Sequence, residues 1–142
     1  MLPLKLTNAQ KKQIETEGSS AYPDECCGII FGVERDGSRI VTSLEATANV
    51  FDEAEKYHRF SISPKQLMDA DKKAGARGEL VLGFYHSHPD HPARPSEYDR
   101  VHGWPFYSYV IVAIEKREPR AMTSWLLDEA TEQFAEQSIV VE

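Results

Sequence analysis

Residues 80–86 read Leu80-Val81-Leu82-Gly83-Phe84-Tyr85-His86, a run with no polar side chain in its first six positions. It is short for a helix and lacks the alternation of a half-exposed strand. It therefore predicts a central strand covered on both faces, which delivers its end to His86. Outward from this strand the chain supplies partners for it. Cys27-Gly28-Ile29-Ile30-Phe31-Gly32-Val33 reads as a second buried strand leading into an Asp36-Gly37 turn, with Arg39 to Leu44 returning beside it. Tyr107 to Ile114 is another strongly apolar strand, Ala121 to Leu127 a further one, and Phe134 to Val141 a last edge strand.

Helices are signalled by their ends. Thr7 is an N-cap for a first helix from Asn8 to about Ser20, with Ile14 facing inward and a weakly amphipathic pattern. Arg59-Phe60-Ser61-Ile62 predicts a short strand. Ser63 and Pro64 then suit the N-cap and first position of a second helix to about Ala74, which Gly75 and Gly78 end. The proline-rich segment from Pro89 to Pro105 has no long apolar run, so it predicts loop with at most one helical turn near Ser96. Strands interleaved with helices make the expected class α/β, a mixed central sheet flanked by helices.

A chain of 142 residues fits one domain spanning 1–142 with one core. Hydrophobic residues at 41% and charged residues at 27% are those of a folded globule. A formal charge of −7 with no long basic run argues against nucleic acid as a partner. No apolar stretch reaches the ~20 residues that span a bilayer, and the start lacks the layout of a signal peptide, so no membrane partner and a cytoplasmic location are expected. Cys26 and Cys27 are sequence neighbours, and a bridge between them would staple no loop, so reduced thiols are expected.

The chemistry concentrates in Tyr85-His86-Ser87-His88-Pro89-Asp90-His91-Pro92-Ala93-Arg94-Pro95-Ser96-Glu97-Tyr98-Asp99. Side chains at i and i+2 of an extended chain share a face about 6.6 Å apart along the strand, so His86 and His88 can converge on one ion while Ser87 points away. Two imidazoles and a carboxylate leave a four-coordinate zinc one open position, the arrangement of catalytic zinc sites, and Asp99 is the best carboxylate. Zinc lowers the pKa of bound water to about 7, so hydrolysis also needs a second, unligated carboxylate to move the proton. The residue pattern demands that group without placing it.

His86-x-His88-Pro89, followed by Ser96 and, after two intervening residues, Asp99, resembles the signature of the JAMM (MPN+) zinc isopeptidase family. Tyr22-Pro23-Asp24-Glu25-Cys26-Cys27-Gly28 is similar to the segment of that family that bears its glutamate. The likeness spans essentially the whole chain. It implies that His86, His88 and Asp99 hold Zn2+, that Glu25 is the general acid and base, and that the Ser96 hydroxyl stabilises the oxyanion. The implied fold is a mixed central sheet flanked by helices, similar to cytidine deaminases. The short chain and the paired cysteines look most like the bacterial stand-alone members. For those the implied substrate is a ubiquitin-like sulfur carrier protein ending in Gly-Gly, cut at the amide or isopeptide bond after that Gly-Gly. The resemblance also admits a deubiquitinase-like or cell-wall or phage-tail peptidase, and a non-catalytic MPN scaffold that binds protein partners. It does not imply an oligomeric state.

Blander readings stand beside these. Ser96 also fits as the cap of the turn containing Asp99. His58, His91 and His102 have no place in the signature and read as surface groups or as groups behind the ligands. Cys26 and Cys27 invite a thiol-nucleophile reading, but Cys27 opens an apolar strand and free cysteine usually behaves as a small buried hydrophobe. Trp104 and Tyr107 are expected to pack against the core or the loop.

Overall fold

The run that begins at Leu80 is the fourth strand of a computed structural model that describes residues 1–48 and 62–142. It is the middle of a mixed eight-stranded sheet in the order β7-β6-β5-β4-β2-β3-β1-β8. The elements in chain order are β1 (Leu4–Leu6), α1 (Asn8–Ala21), β2 (Cys27–Arg35), β3 (Ser38–Thr47) and α2 (Pro64–Ala76). They continue with β4 (Leu80–Pro89), α3 (Glu97–His102), β5 (Ser108–Glu115), β6 (Glu118–Asp128), β7 (Gln133–Gln137) and β8 (Ile139–Val141). Helices on both faces of a mixed sheet are the architecture expected. Among the described residues, no helix is long and apolar enough to cross a membrane.

Alternate residues of the central strands feed two cores. Ile30, Leu82 and Tyr85 pack with Ile14 of α1 on one face, and Ile29, Phe31 and Phe84 pack with Ala70 and Ala74 of α2 on the other. Gly28 is required on the α1 face, because the Tyr85 ring lies 2.1 Å from where a Cβ would sit. The Tyr85 hydroxyl donates to Glu17 of α1 at 2.5 Å. Each long helix starts with a capping box, Thr7 with Gln10 and Ser63 with Gln66, as those cap residues predict.

Several expectations needed correction. β4 does not stop at Tyr85 but runs through Pro89, so both histidines are strand residues held by β2 and β5. Gly75 does not end α2. The helix passes through it to Ala76, and Gly78, at φ +69°, supplies the left-handed turn after the helix. The strand expected over 59–62 lies largely outside the described residues, as does His58. Residues 4–6, not foreseen as a strand, form β1.

The expected last strand is two strands on opposite borders of the sheet. β7 pairs with β6, while β8 pairs in parallel with β1. Eight strands laid flat would separate those borders by roughly 34 Å at ~4.8 Å per step, yet only Ser138 lies between β7 and β8. The sheet therefore curls until its borders meet. A buried polar chain ties the seam: Gln137 donates to the Leu2 carbonyl at 2.7 Å and accepts from Ser108 and Ser124. Arg39 donates to the Ser108 hydroxyl at 2.8 Å.

Candidate metal centre and active site

His86 and His88 extend from the α2 face of β4, beyond the reach of α2 itself. Strand alternation sends Ser87 to the other face, where its hydroxyl accepts from the Cys26 N–H at 2.9 Å. That bond continues the β2–β4 register, in which Cys27 stands opposite His86. Glu25 consequently lies across from His88 on the same face, although it precedes the strand proper.

The third donor comes from the far side of the loop. Ser96 caps α3, its hydroxyl accepting from Asp99 N–H at 3.0 Å while Asp99 Oδ2 accepts from Ser96 N–H at 2.8 Å. This reciprocal pair turns the Asp99 carboxylate toward β4. Its Oδ2 is 3.4 Å from His86 Nε2 and 3.3 Å from His88 Nε2, and the two imidazole nitrogens are 3.1 Å apart. Donors about 2.0–2.2 Å from a tetrahedral zinc stand about 3.3–3.6 Å from one another, so this trio has the spacing a zinc ion needs. Among the described residues, His86, His88 and Asp99 form the group able to hold a metal.

His88 is oriented from behind. Its Nδ1 lies 2.9 Å from the Pro92 carbonyl oxygen, which can only accept, so Nδ1 bears the proton and Nε2 presents its lone pair to the cluster. Burial lowers the pKa of His86, a shift that Asp99 partly offsets, and a neutral imidazole is the form that binds metal. Burial opposes ionisation of Asp99, but His86, His88 and the Ser96 N–H outweigh it and pull the carboxyl well below its ordinary range. Glu25 lacks such partners. Burial, and then the negative charge of Asp99, push its carboxyl up to about 9.

A cavity of about 330 Å³ brings Glu25, His88 and Ser96 to one wall system with His91, Pro92 and Arg94. His88 joins this cavity to His86 and Asp99. His91 and Arg94 were not assigned a role, and their signal was only their position inside the proline-rich loop. The Pro92 carbonyl had none, since backbone groups leave no mark in residue type. Burial pushes the Cys26 thiol up to about 12 and the Cys27 thiol to about 11, where neither is a ready thiolate. Both are free, as expected. His102 is exposed and stacks on Tyr98, and Trp104, expected to be packed away, is 48% exposed.

The model of prokaryotic homologs of the JAB domain matches residues 8–128. The chain belongs to this prokaryotic JAB family. Its relatives include the desampylase of Haloferax volcanii, 33% identical over 130 residues that cover 89% of this chain and 85% of that one. Among solved structures of the fold, a solution structure from Desulfitobacterium hafniense superposes with TM-score 0.82 at 29% identity, covering 98% of this chain and 92% of that one. A solution structure from Salinibacter ruber gives 0.72 at 35% identity, over 100% and 92% of the two chains. The crystal structure of a JAB1/MPN domain protein from Archaeoglobus fulgidus gives 0.60 at 20% identity over 98% and 99%, a likeness of fold.

Proposed function

We propose that this chain is a single-domain zinc metallopeptidase of the isopeptidase type. It hydrolyses the amide or isopeptide bond after the C-terminal Gly-Gly of a ubiquitin-like sulfur carrier protein in the cytoplasm. The observation that bears most weight is the convergence of His86, His88 and Asp99 to within 4.8 Å, with Glu25 buried beside them. The desampylase relative supports a ubiquitin-like substrate.

In this reading His86 Nε2, His88 Nε2 and Asp99 Oδ2 hold the zinc. When bound, the ion supplies Lewis acidity and an acidified water nucleophile. Glu25 takes the proton that the nucleophile sheds and delivers it to the departing amine. Its position off the ligand set leaves both carboxylate oxygens for that work, and its raised pKa favours holding the proton between the two transfers. A cation at the ligand cluster moves that pKa back toward neutrality, where exchange in both directions is easiest. The Ser96 oxygen already accepts from Asp99 N–H, so its own hydrogen is free to meet the oxyanion.

The test joins metal content to cleavage. Purified protein should hold about one zinc per chain, and should release the group fused after the Gly-Gly of a carrier protein. Glu25→Gln should keep the zinc and lose the cleavage. A chain without zinc, or an active Glu25→Gln variant, refutes the mechanism. Cleavage of ubiquitin fusions in preference to carrier fusions would reassign the substrate.

A further inference from the structure

Two residues after the second histidine the chain makes a left-handed step at Asp90, φ +56°. Its amide donates to the Ile114 carbonyl at 2.6 Å. Its carboxylate is then shared between two other parts of the fold. Oδ2 accepts from the Tyr22 hydroxyl at 2.6 Å, just past the end of α1, and Oδ1 accepts from Lys116 N–H at 2.8 Å in the β5–β6 turn. That turn is unusual by itself. Lys116 and Arg117 both have positive φ, at 49° and 74°, in a two-residue hairpin loop that ordinarily favours asparagine and glycine. Such backbone persists only where neighbours over-determine it. Here Asp90 holds one residue of the pair, while Ser19 of α1 holds the other by donating to the Arg117 carbonyl at 2.6 Å.

The far end of the same short loop is pinned as well, because the Thr123 hydroxyl donates to the Ala93 carbonyl at 2.7 Å. Between these two anchors lies Pro92, whose carbonyl receives the Nδ1 proton of His88. A loop fixed at Asp90 and at Ala93 has little freedom to move the carbonyl between them.

We propose that Asp90 is a positioning residue for the metal centre: its carboxylate staples α1 and the β5–β6 turn to the loop, and so holds the Pro92 carbonyl where it fixes the His88 imidazole. The consequence for metal binding rests on the function proposed above. Asp90 lies outside the ligand group, so its effect on the metal centre passes through His88. Its loss frees the imidazole to flip or change tautomer, and groups that orient a metal-ligating histidine in this way are worth about ten- to a hundredfold in metal affinity.

The experiment begins with metal-free protein, in which long-range proton–nitrogen NMR of the imidazoles reads the tautomer of His88. The native chain should show one form, protonated at Nδ1. Asp90→Ala should mix the tautomers and weaken zinc binding, measured by competition with a chromogenic chelator, by about ten- to a hundredfold. Tyr22→Phe removes one of the two bonds and should give a smaller change in the same direction, so it stands in if Asp90→Ala does not fold. Ser19→Ala loosens the same turn from its other side, and should lower the melting temperature while leaving tautomer and zinc affinity unchanged. Asp90→Ala with a single tautomer and zinc affinity within about twofold of native overturns the staple. So does a Ser19→Ala variant that disturbs zinc as much as Asp90→Ala. A native chain that shows the fixed tautomer, but cleaves no Gly-Gly substrate, overturns the proposed activity and leaves the staple standing.

Discussion

Two parts of the molecule supply the trio proposed to hold zinc, and they are built differently. His86 and His88 sit on β4, which is bonded to β2 on one side and β5 on the other, and they are 1% and 7% exposed. Asp99 sits on a six-residue helix with no buried residue, and Ser96 is the N-cap of that helix, joined to Asp99 by a capping box. The strand pair is fixed by the fold, whereas the helix pair is fixed by each other.

The sharpest way to break this contrast is to remove one donor from each part. His86→Ala and Asp99→Ala should both abolish zinc binding and cut kcat/KM by at least about a thousandfold. They should differ in stability. Truncating the buried His86 should cost about 2–4 kcal/mol, and truncating Asp99 about 1 kcal/mol, in urea melts of the metal-free protein. Equal costs would mean that α3 is built into the core after all.

Ser96 tests whether one hydroxyl serves both cap and chemistry. Ser96→Ala should lower kcat by about a hundred- to a thousandfold and stability by about 1 kcal/mol. Ser96→Gly should recover most of the stability, since glycine is a tolerable cap, without recovering the rate. Parallel recovery of both would reduce the residue to a cap.

Glu25 tests the strand-side wall through pH. Its folded pKa of about 9 lies above the ordinary carboxyl value near 4.3, so between those values the folded chain holds a proton that the unfolded chain has lost. Stability of the metal-free protein should therefore fall as pH rises from about 5 to 9. Glu25→Gln should flatten that slope and add about 1–3 kcal/mol at pH 8, read from melts across the range. The smallest effect is expected at Arg100→Ala, which breaks an exposed ion pair with Glu97 on the outer side of α3. Its cost should stay below about 0.5 kcal/mol with cleavage unchanged.

What could be read from the chain follows the same division. Unbroken apolar runs announced β2, β4 and β5 because central strands are covered on both faces, and Thr7 and Ser63 announced α1 and α2 through their caps. The two histidines were legible from strand periodicity, but Glu25 was placed only by family likeness, since its approach to His88 depends on a register between strands distant in sequence. β1 escaped because three residues form no pattern. The split of the final strand escaped because it depends on the sheet curling, which no local signal records. Gly75 misled because the intrinsic cost of one helical glycine, about 1 kcal/mol, is small enough for the rest of the helix to override. The Asp90 staple was hidden for a related reason: a carboxylate that accepts from a remote tyrosine and a remote amide looks, in sequence, like any loop acid.

The seam at Ser138 also bears on how the protein is made. Gln137 reaches the Leu2 carbonyl across 135 positions, and β8 can dock on β1 only after residues 139–141 have been made. Non-local pairing of this sort slows folding: β1 finds β3 early, but its other edge stays open until β8 has been made. Until the curl closes, that edge is a ready template for β-pairing with other chains.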